Sequence, residues 1–187
     1  MQPNNVMNIK TSILSAGLCA LLLALVACTT APPAPMVPAS PPVPKVSAEQ
    51  RYAAVLAAAK GADDDRELAV QPLRDPEVQD LRERAATAIT ARNYAAAADA
   101  LNQALLVVAD DPAVLQERAE VALLQADHER AETLSRRALD LGSRVGPLCR
   151  RHWATIEQSR LARGLTQDAA SAHAQIEGCT VAGLQRM

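Results

Sequence analysis

Small and apolar residues recur every three to four positions between residues 81 and 141, which is the spacing of one face of an α-helix. The pattern is interrupted at Arg92 and again, 34 residues later, at Ala126. Two helices separated by a tight turn account for each half of the pattern. The spacing therefore predicts two helical hairpins, with helices over about 76–91 and 94–108 and over about 112–125 and 128–141.

Six positions of the first hairpin are matched 34 residues later by the same or a comparable residue in the second. The pairs are Leu81 and Leu115, Ala85 and Ala119, Ala88 and Ala122, Tyr94 and His128, Ala97 and Ala131, and Ala104 and Ala138. A period of this length is typical of stacked units that bury their apolar faces against one another. The chain is therefore expected to be all-α, a short α-solenoid.

The helical pattern continues on both sides of these hairpins. A third hairpin is predicted after a longer turn over 142–147, with a break between its helices at Gly164. Upstream, Ser47 and Gln50 form a capping box that predicts a helix ending at Lys60. The face of this helix that is expected to pack against the first hairpin consists of Tyr52, Val55, Leu56 and Ala59. The predicted architecture is about three helical hairpins preceded by one extra helix.

The 34-residue unit, its small residues where paired helices touch and the prolines that open each unit, Pro76 and Pro112, resemble the tetratricopeptide repeat (TPR) family. The usual turn glycine of that family is replaced here by Arg92 or Ala126. The resemblance implies a concave groove, lined by the first helix of each hairpin, that binds a protein segment. The residues expected to be exposed there are Arg82, Gln116, Glu120, Arg151, Thr155 and Gln158. They do not reproduce the lysine and asparagine set that clamps a C-terminal carboxylate, so that ligand is not expected.

The segment before the helices has the features of an export signal. Residues 13–27 form an unbroken weakly polar to apolar run of about 15 residues, which is too short to span a bilayer comfortably. The run ends in a Leu-Val-Ala-Cys sequence at Cys28 that resembles the lipobox of bacterial lipoproteins. The resemblance implies lipidation of Cys28 and, because Thr29 follows it, delivery to the outer membrane of a Gram-negative bacterium, facing the periplasm. A transmembrane anchor and an ordinary cleaved signal are the alternatives.

Seven prolines lie between residues 29 and 46, in a segment with almost no charge. Such a segment favours an extended polyproline conformation and is expected to be a tether. The predicted divisions are a lipoprotein signal peptide over 1–27, the lipidated cysteine and tether over 28–46, the leading helix and a connector over 47–74, a TPR-like repeat domain over 75–179 and a C-terminal tail over 180–187.

The formal net charge is -2, so no general attraction to nucleic acid is implied. The charge is unevenly distributed, because residues 130–163 contain eight arginines and only three acidic residues. Ordinary solvated helix faces explain such a distribution. An alternative is an arginine-rich surface that meets an acidic protein, lipid headgroups or peptidoglycan.

Candidate catalytic groups are few. His128, His152 and His173 have no recurring partners and are expected to be structural. Cys149 and His152 could share one helix face and bind zinc, but two ligands are half of a site. The sequence also lacks the common hydrolase, phosphate-loop and dinucleotide motifs. It therefore predicts no enzyme, no metal site and no cofactor.

The cysteine inventory predicts one disulfide. Removal of the signal would discard Cys19 and lipidation would occupy Cys28, which leaves Cys149 and Cys179 as the thiols in an oxidising compartment. These two lie at neighbouring ends of the antiparallel helices of the third hairpin. Two free cysteines are the alternative, because a frayed C-terminus after Gly178 would carry Cys179 out of reach.

Taken together, these features predict a membrane-anchored periplasmic TPR-like scaffold that binds a protein or peptide partner in cell-envelope assembly or maintenance. The alternative function is direct binding of peptidoglycan or anionic lipid headgroups through the arginine-rich surface.

Overall fold

A computed structural model describes residues 45–60 and 75–180 of the chain. The predictions for the signal, Cys28, most of the tether, the connector over 61–74 and the tail after residue 180 lie outside these residues. The described residues form seven helices and no strand. The helices are α1 (Ala48–Lys60), α2 (Pro76–Thr90), α3 (Tyr94–Val107), α4 (Pro112–Leu124), α5 (His128–Leu141), α6 (Gly146–Ala162) and α7 (Thr166–Gly178).

The first helices of the first two hairpins begin as the sequence predicts, with an aspartate cap followed by proline. The Asp75 carboxylate accepts a hydrogen bond from the Glu77 amide at 2.8 Å. The Asp111 carboxylate accepts from Ala113 at 2.8 Å and from Val114 at 3.2 Å. Each cap satisfies amide groups that have no partner inside the helix, and the proline lies where no amide hydrogen is needed.

The three hairpin turns share one backbone geometry. In each turn the second residue after the helix has a left-handed conformation, with φ of 56° at Arg92, 60° at Ala126 and 77° at Gly164. The next amide then donates back to a carbonyl five residues earlier, for example from Asn93 to Ala88 at 2.8 Å. This Schellman pattern closes the last helical turn. It explains why the predicted interruptions fall at Arg92 and Ala126, although neither is glycine.

Asn93 and Asp127 complete the first two turns by capping the helix that follows. The Asn93 side chain accepts from the Ala96 amide at 3.1 Å, and the Asp127 carboxylate accepts from the Arg130 amide at 3.2 Å. One short turn therefore ends one helix and starts the next. In the third turn Leu165 occupies the corresponding position and provides no side-chain cap.

The helices pair as three hairpins, α2 with α3, α4 with α5 and α6 with α7. Successive hairpins pack through α3 with α4 and through α5 with α6, and α4 also contacts α6. This order of contacts confirms the predicted all-α architecture, a short solenoid of three hairpins preceded by one extra helix.

The leading helix α1 is the main departure from the predicted packing. It packs principally against α6 and also against α4, and not chiefly against the first hairpin. Of its predicted apolar face only Val55 is completely buried, whereas Leu56 is 37% exposed. The prediction assumed that helices adjacent in sequence are adjacent in space. The 14-residue connector over 61–74 is long enough for α1 to reach the far hairpins instead.

Helix α4 is the centre of the core. Eleven of its thirteen residues are buried, because α1, α3, α5 and α6 surround it. Much of the surrounding core is alanine, including Ala97, Ala104 and Ala131, each with no exposed surface. Small side chains let helix backbones approach closely, toward the short end of the usual range of about 8 to 10 Å.

The last hairpin is closed by the predicted disulfide. Cys149 at the start of α6 and Cys179 just after α7 are bonded, with their Cα atoms 5.7 Å apart. Both are buried beside Leu139, and Trp153 packs against them. A bridge across a sequence separation of 30 residues stabilises the fold by about 3 to 4 kcal/mol in the chain-entropy account. It therefore secures a hairpin whose outer face no further hairpin covers in the described part of the chain.

The left-handed turns predict the effect of glycine substitution. We expect Ala126→Gly to raise the free energy of unfolding by about 0.5 kcal/mol, because an L-residue in this conformation is strained by about 1 to 2 kcal/mol, part of which is offset by the greater freedom of unfolded glycine. The matched control is Gly164→Ala, which should lower stability by about 1 kcal/mol. A Cβ atom at Gly164 would meet no atom within 4 Å, so a loss there is conformational. Urea unfolding measures both; a less stable Ala126→Gly protein contradicts the prediction.

Candidate binding groove

The first helices α2, α4 and α6 form the surface on which α1 lies, and we call this surface the first-helix groove. The six residues predicted to be exposed there are not equally accessible. Gln116, Glu120 and Thr155 have no more than 1% of their surface exposed, so the prediction that they are exposed is wrong. Arg82, Arg151 and Gln158 are partly buried. The prediction treated α4 as one-sided, whereas neighbouring helices enclose it.

Gln116 is buried because it connects α4 with both helices that follow. Its side-chain amide donates to the hydroxyl of Thr155 on α6 at 2.8 Å and to Glu120 at 2.9 Å. Its side-chain oxygen accepts from the hydroxyl of Ser135 on α5 at 2.7 Å and contacts the Nδ1 atom of His152 at 2.7 Å. All of these side chains are buried. The cluster belongs to the hairpin interface and not to a ligand site.

The His152 ring is held as a neutral imidazole. The Gln116 oxygen can only accept, so Nδ1 carries the ring proton and donates it. The other ring nitrogen, Nε2, is buried without a hydrogen-bond partner among the described residues. Burial, together with the positive charge of Arg151, lowers the pKa of His152 to about 3. The predicted structural role of this histidine agrees with its position.

Two arginine–glutamate pairs lie at the floor of the first-helix groove. Arg82 on α2 pairs with Glu117 on α4 through two hydrogen bonds, one of them 2.8 Å long. Arg151 on α6 pairs with Glu120 on α4, also through two bonds, from Nε at 2.8 Å and from Nη2 at 2.5 Å. Planar bidentate pairs of this kind fix both partners in orientation. They join the first helices of all three hairpins.

Helix α1 lies antiparallel to α6 along the groove. Near its start, Arg51 donates to the Gln158 backbone and side-chain oxygens at 3.4 and 3.5 Å. Near its end, the guanidinium of Arg150 donates to the Ala59 carbonyl at 3.2 and 2.8 Å. Arginine is favourable there because a helix C-terminus carries partial negative charge. The groove thus holds a complete helix of this same chain.

Part of the groove stays open beside α1. A cavity of about 440 Å³ lies between Tyr52 of α1, the α2 surface and the two arginine–glutamate pairs. We call it the open cavity. Its lining combines the charged pairs with Ala86 and Ile89 of α2. This mixed surface suits a side chain or helix end that has both apolar and polar parts.

The arginine-rich surface is largely paired within the protein. The Glu132 carboxylate contacts Arg136 at 2.8 Å, Arg160 at 3.0 Å and also Arg163. Burial would raise the pKa of Glu132, but hydrogen bonds from Arg136 and Arg160 outweigh it and lower that pKa. Further pairs join Arg137 with Asp110 and Arg144 with Asp140. Each of these five arginines therefore contacts a carboxylate, and three of them share the single negative charge of Glu132, so positive charge stays in excess there.

The remaining candidates from the sequence have ordinary environments. His173 is exposed and contacts Glu157 at 3.1 Å, and burial lowers the pKa of His128. Cys149 is in the disulfide, so it and His152 do not form half of a zinc site. Within residues 45–60 and 75–180 no group of three side chains could hold a metal ion. None of the helices described there is long and apolar enough to cross a membrane.

Two residues of this region have roles that were not predicted from the sequence. Ser135 completes the Gln116 cluster, and Arg150 anchors the end of α1. Ser135 follows the helical pattern of the small core residues Ala131 and Ala138, which placed it on the buried side of α5. No sequence pattern marked Arg150, because its contact with the Ala59 carbonyl depends on where α1 packs.

No protein-family model, no curated protein and no solved structure matches this chain.

The buried His152 ring predicts acid-sensitive stability. The folded chain resists protonation of this ring down to a pKa of about 3, whereas the unfolded chain takes up the proton near the ordinary histidine pKa of 6.5. The contribution of the neutral His152 ring to the free energy of unfolding is complete above pH 6.5. It falls by about 1.4 kcal/mol per pH unit as the pH decreases toward 3. His152→Gln should flatten the pH dependence of urea unfolding between pH 6.5 and 4.5. His173→Gln, at an exposed position, is the control; equal slopes for wild type and His152→Gln refute the assignment.

Proposed function

We propose that this protein is a non-catalytic TPR-like scaffold that binds a helical segment of another protein in the first-helix groove. The observation that supports this proposal is α1 itself, which occupies the groove with contacts to its side chains and to a terminal carbonyl. A surface that accommodates one helix has the geometry for another, and a helix held in a groove is a recurring mode of peptide recognition. The open cavity provides a place where a partner can make first contact while α1 is docked.

The proposed location is the periplasmic side of the outer membrane, with the chain anchored through lipid on Cys28. The support is the Leu-Val-Ala-Cys sequence at the end of the apolar run and the proline-rich segment that follows it. The Cys149–Cys179 disulfide agrees with an oxidising compartment. On this basis the scaffold acts in cell-envelope assembly or maintenance. Direct binding of peptidoglycan or lipid headgroups is disfavoured, because the arginines that would mediate it are mostly paired with carboxylates.

The anchor is tested by substitution of the proposed lipidated cysteine. Cys28→Ala should leave an uncut precursor that is not labelled by a radioactive or clickable fatty acid, because no other residue can accept the lipid at this site. Cys19→Ala, within the proposed signal, is the control and should be cut and labelled like the wild type. Fatty-acid labelling that persists in Cys28→Ala removes the basis for the anchor.

The groove is tested by site-specific photo-crosslinking in the cell. A photoreactive amino acid at Ala86, which is exposed and lines the open cavity, should crosslink to a discrete partner. The same amino acid at Ala170, exposed on the second helix α7, is the control and should not crosslink to it. Arg82 and Arg151 are poor choices for this test, because truncation of either leaves its glutamate unpaired and destabilises the array.

Substitution then measures the contribution of the cavity. Ala86→Arg would fill the open cavity without disturbing the core, so capture of the crosslinked partner should fall about tenfold or more, which corresponds to about 1.4 kcal/mol. Ala170→Arg should leave capture unchanged. Equal capture by the two variants, or equal crosslinking from the two positions, would place the partner elsewhere on the protein.

A further inference from the structure

We propose that α1 is a displaceable occupant of the first-helix groove, and that the partner is an alanine-rich helix that takes the place of α1. This inference rests on the proposed function and deepens it, because it names the class of partner and the way in which binding is controlled. The groove would then alternate between a closed state that holds α1 and an open state that holds the partner.

The contacts that hold α1 recognise features that another helix can present. Arg150 binds the backbone carbonyl of Ala59 at the end of the helix, and every helix presents such a carbonyl. Tyr52 lies against the open cavity beside the Glu120–Arg151 pair. Val55, one turn later, enters an apolar cluster with Ala122 and Ala154. The seam of α1 therefore has the pattern Tyr-x-x-Val-x-x-Ala-Ala, which defines the helix that the groove accepts.

The packing of α1 is sparse enough for exchange. Val55 is the one residue of α1 that is completely buried, whereas α4 buries eleven residues. Ala53, Ala54 and Ala57 of α1 are exposed. Elements with few buried apolar contacts open at lower free energy than the core does. Helix α1 is therefore the described helix with the fewest buried residues.

The surface beneath α1 is suited to contact with water. Much of it consists of the polar side chains of Arg151, Glu120 and Gln158. These ion-paired and amide groups can be hydrated when α1 leaves, and the apolar residues beside Val55 are mainly alanines. Release would thus expose no large apolar patch of the kind that promotes aggregation. An interface between α1 and the groove that never opened would not require polar side chains beneath α1.

A labelled peptide provides the test. The probe is a fluorescent synthetic peptide of residues 45–60, and its binding to the full chain is measured by anisotropy. In the wild type the covalently linked α1 competes at a high effective concentration, so the peptide should bind weakly. In the Val55→Asp chain the linked α1 is undocked, and the peptide should bind at least tenfold more tightly.

Two controls separate displacement from general perturbation. The Ala57→Asp chain has the same substitution at an exposed position of the same helix and should bind the peptide as weakly as the wild type. A peptide with Val55→Asp should bind none of the chains. Circular dichroism tests whether the Val55→Asp chain is folded. If it is not folded, the wild-type chain with a protease site placed within residues 65–71 is used in its place. After cleavage of that chain, α1 should dissociate on dilution.

Several outcomes would overturn the inference. These are equal peptide binding by the wild-type and Val55→Asp chains, no binding by a folded Val55→Asp chain, or retention of α1 after cleavage and dilution. A stable dimer that exchanges α1 between two copies would also overturn it, because the groove would then be an interface of the protein with itself. The proposed function has its own test. Crosslinking from Ala86 can succeed when the peptide test fails, which would contradict only the displacement of α1. The peptide test can succeed when no partner crosslinks, which would contradict only the proposed function.

Discussion

The buried amide of Gln116 is the interaction on which the arrangement of the second and third hairpins depends. Gln116 lies on α4 and binds Glu120 of the same helix, Ser135 of α5 and Thr155 of α6. Each polar atom of this amide has a partner, and an unsatisfied one would be destabilising by about 1 to 3 kcal/mol. Alanine contacts alone permit helices to slide past one another. A buried polar group that is satisfied in one register therefore specifies how the hairpins stack.

The repeat and its hairpins were predictable because they depend on local sequence. The 34-residue offset, the aspartate–proline caps and the interruptions at Arg92 and Ala126 are each encoded within a few residues. The disulfide was predictable because it connects the ends of one hairpin. In all these cases the interacting residues are adjacent in sequence or belong to neighbouring helices.

The accessibility of the groove was not predictable from such patterns. Helix α4 has Gln116, Arg118 and Glu120 at buried positions, so its polar residues do not mark a solvent-exposed face. Gln116 and Glu120 are buried because partners on α5 and α6 bind them, and Arg118 donates to Asn102 on α3. The position of α1 itself depends on a contact between Arg150 and a carbonyl 91 residues away in sequence. No periodicity in the chain indicates a contact of that range.

The antiparallel docking of α1 also determines how the domain responds to mechanical load. The start of α1 lies near Gln158 toward the end of α6, whereas the Cys179 carbonyl binds the Gly146 amide at the beginning of α6. The two ends of the described domain therefore lie at opposite ends of the same helix. A force that pulls residue 47 away from residue 180 acts along the axis of α1 and shears it against α6. Under shear the contacts at Arg51 and Arg150 share the force, whereas a sideways pull would break them one after the other, so resistance to extension depends on the direction of pulling.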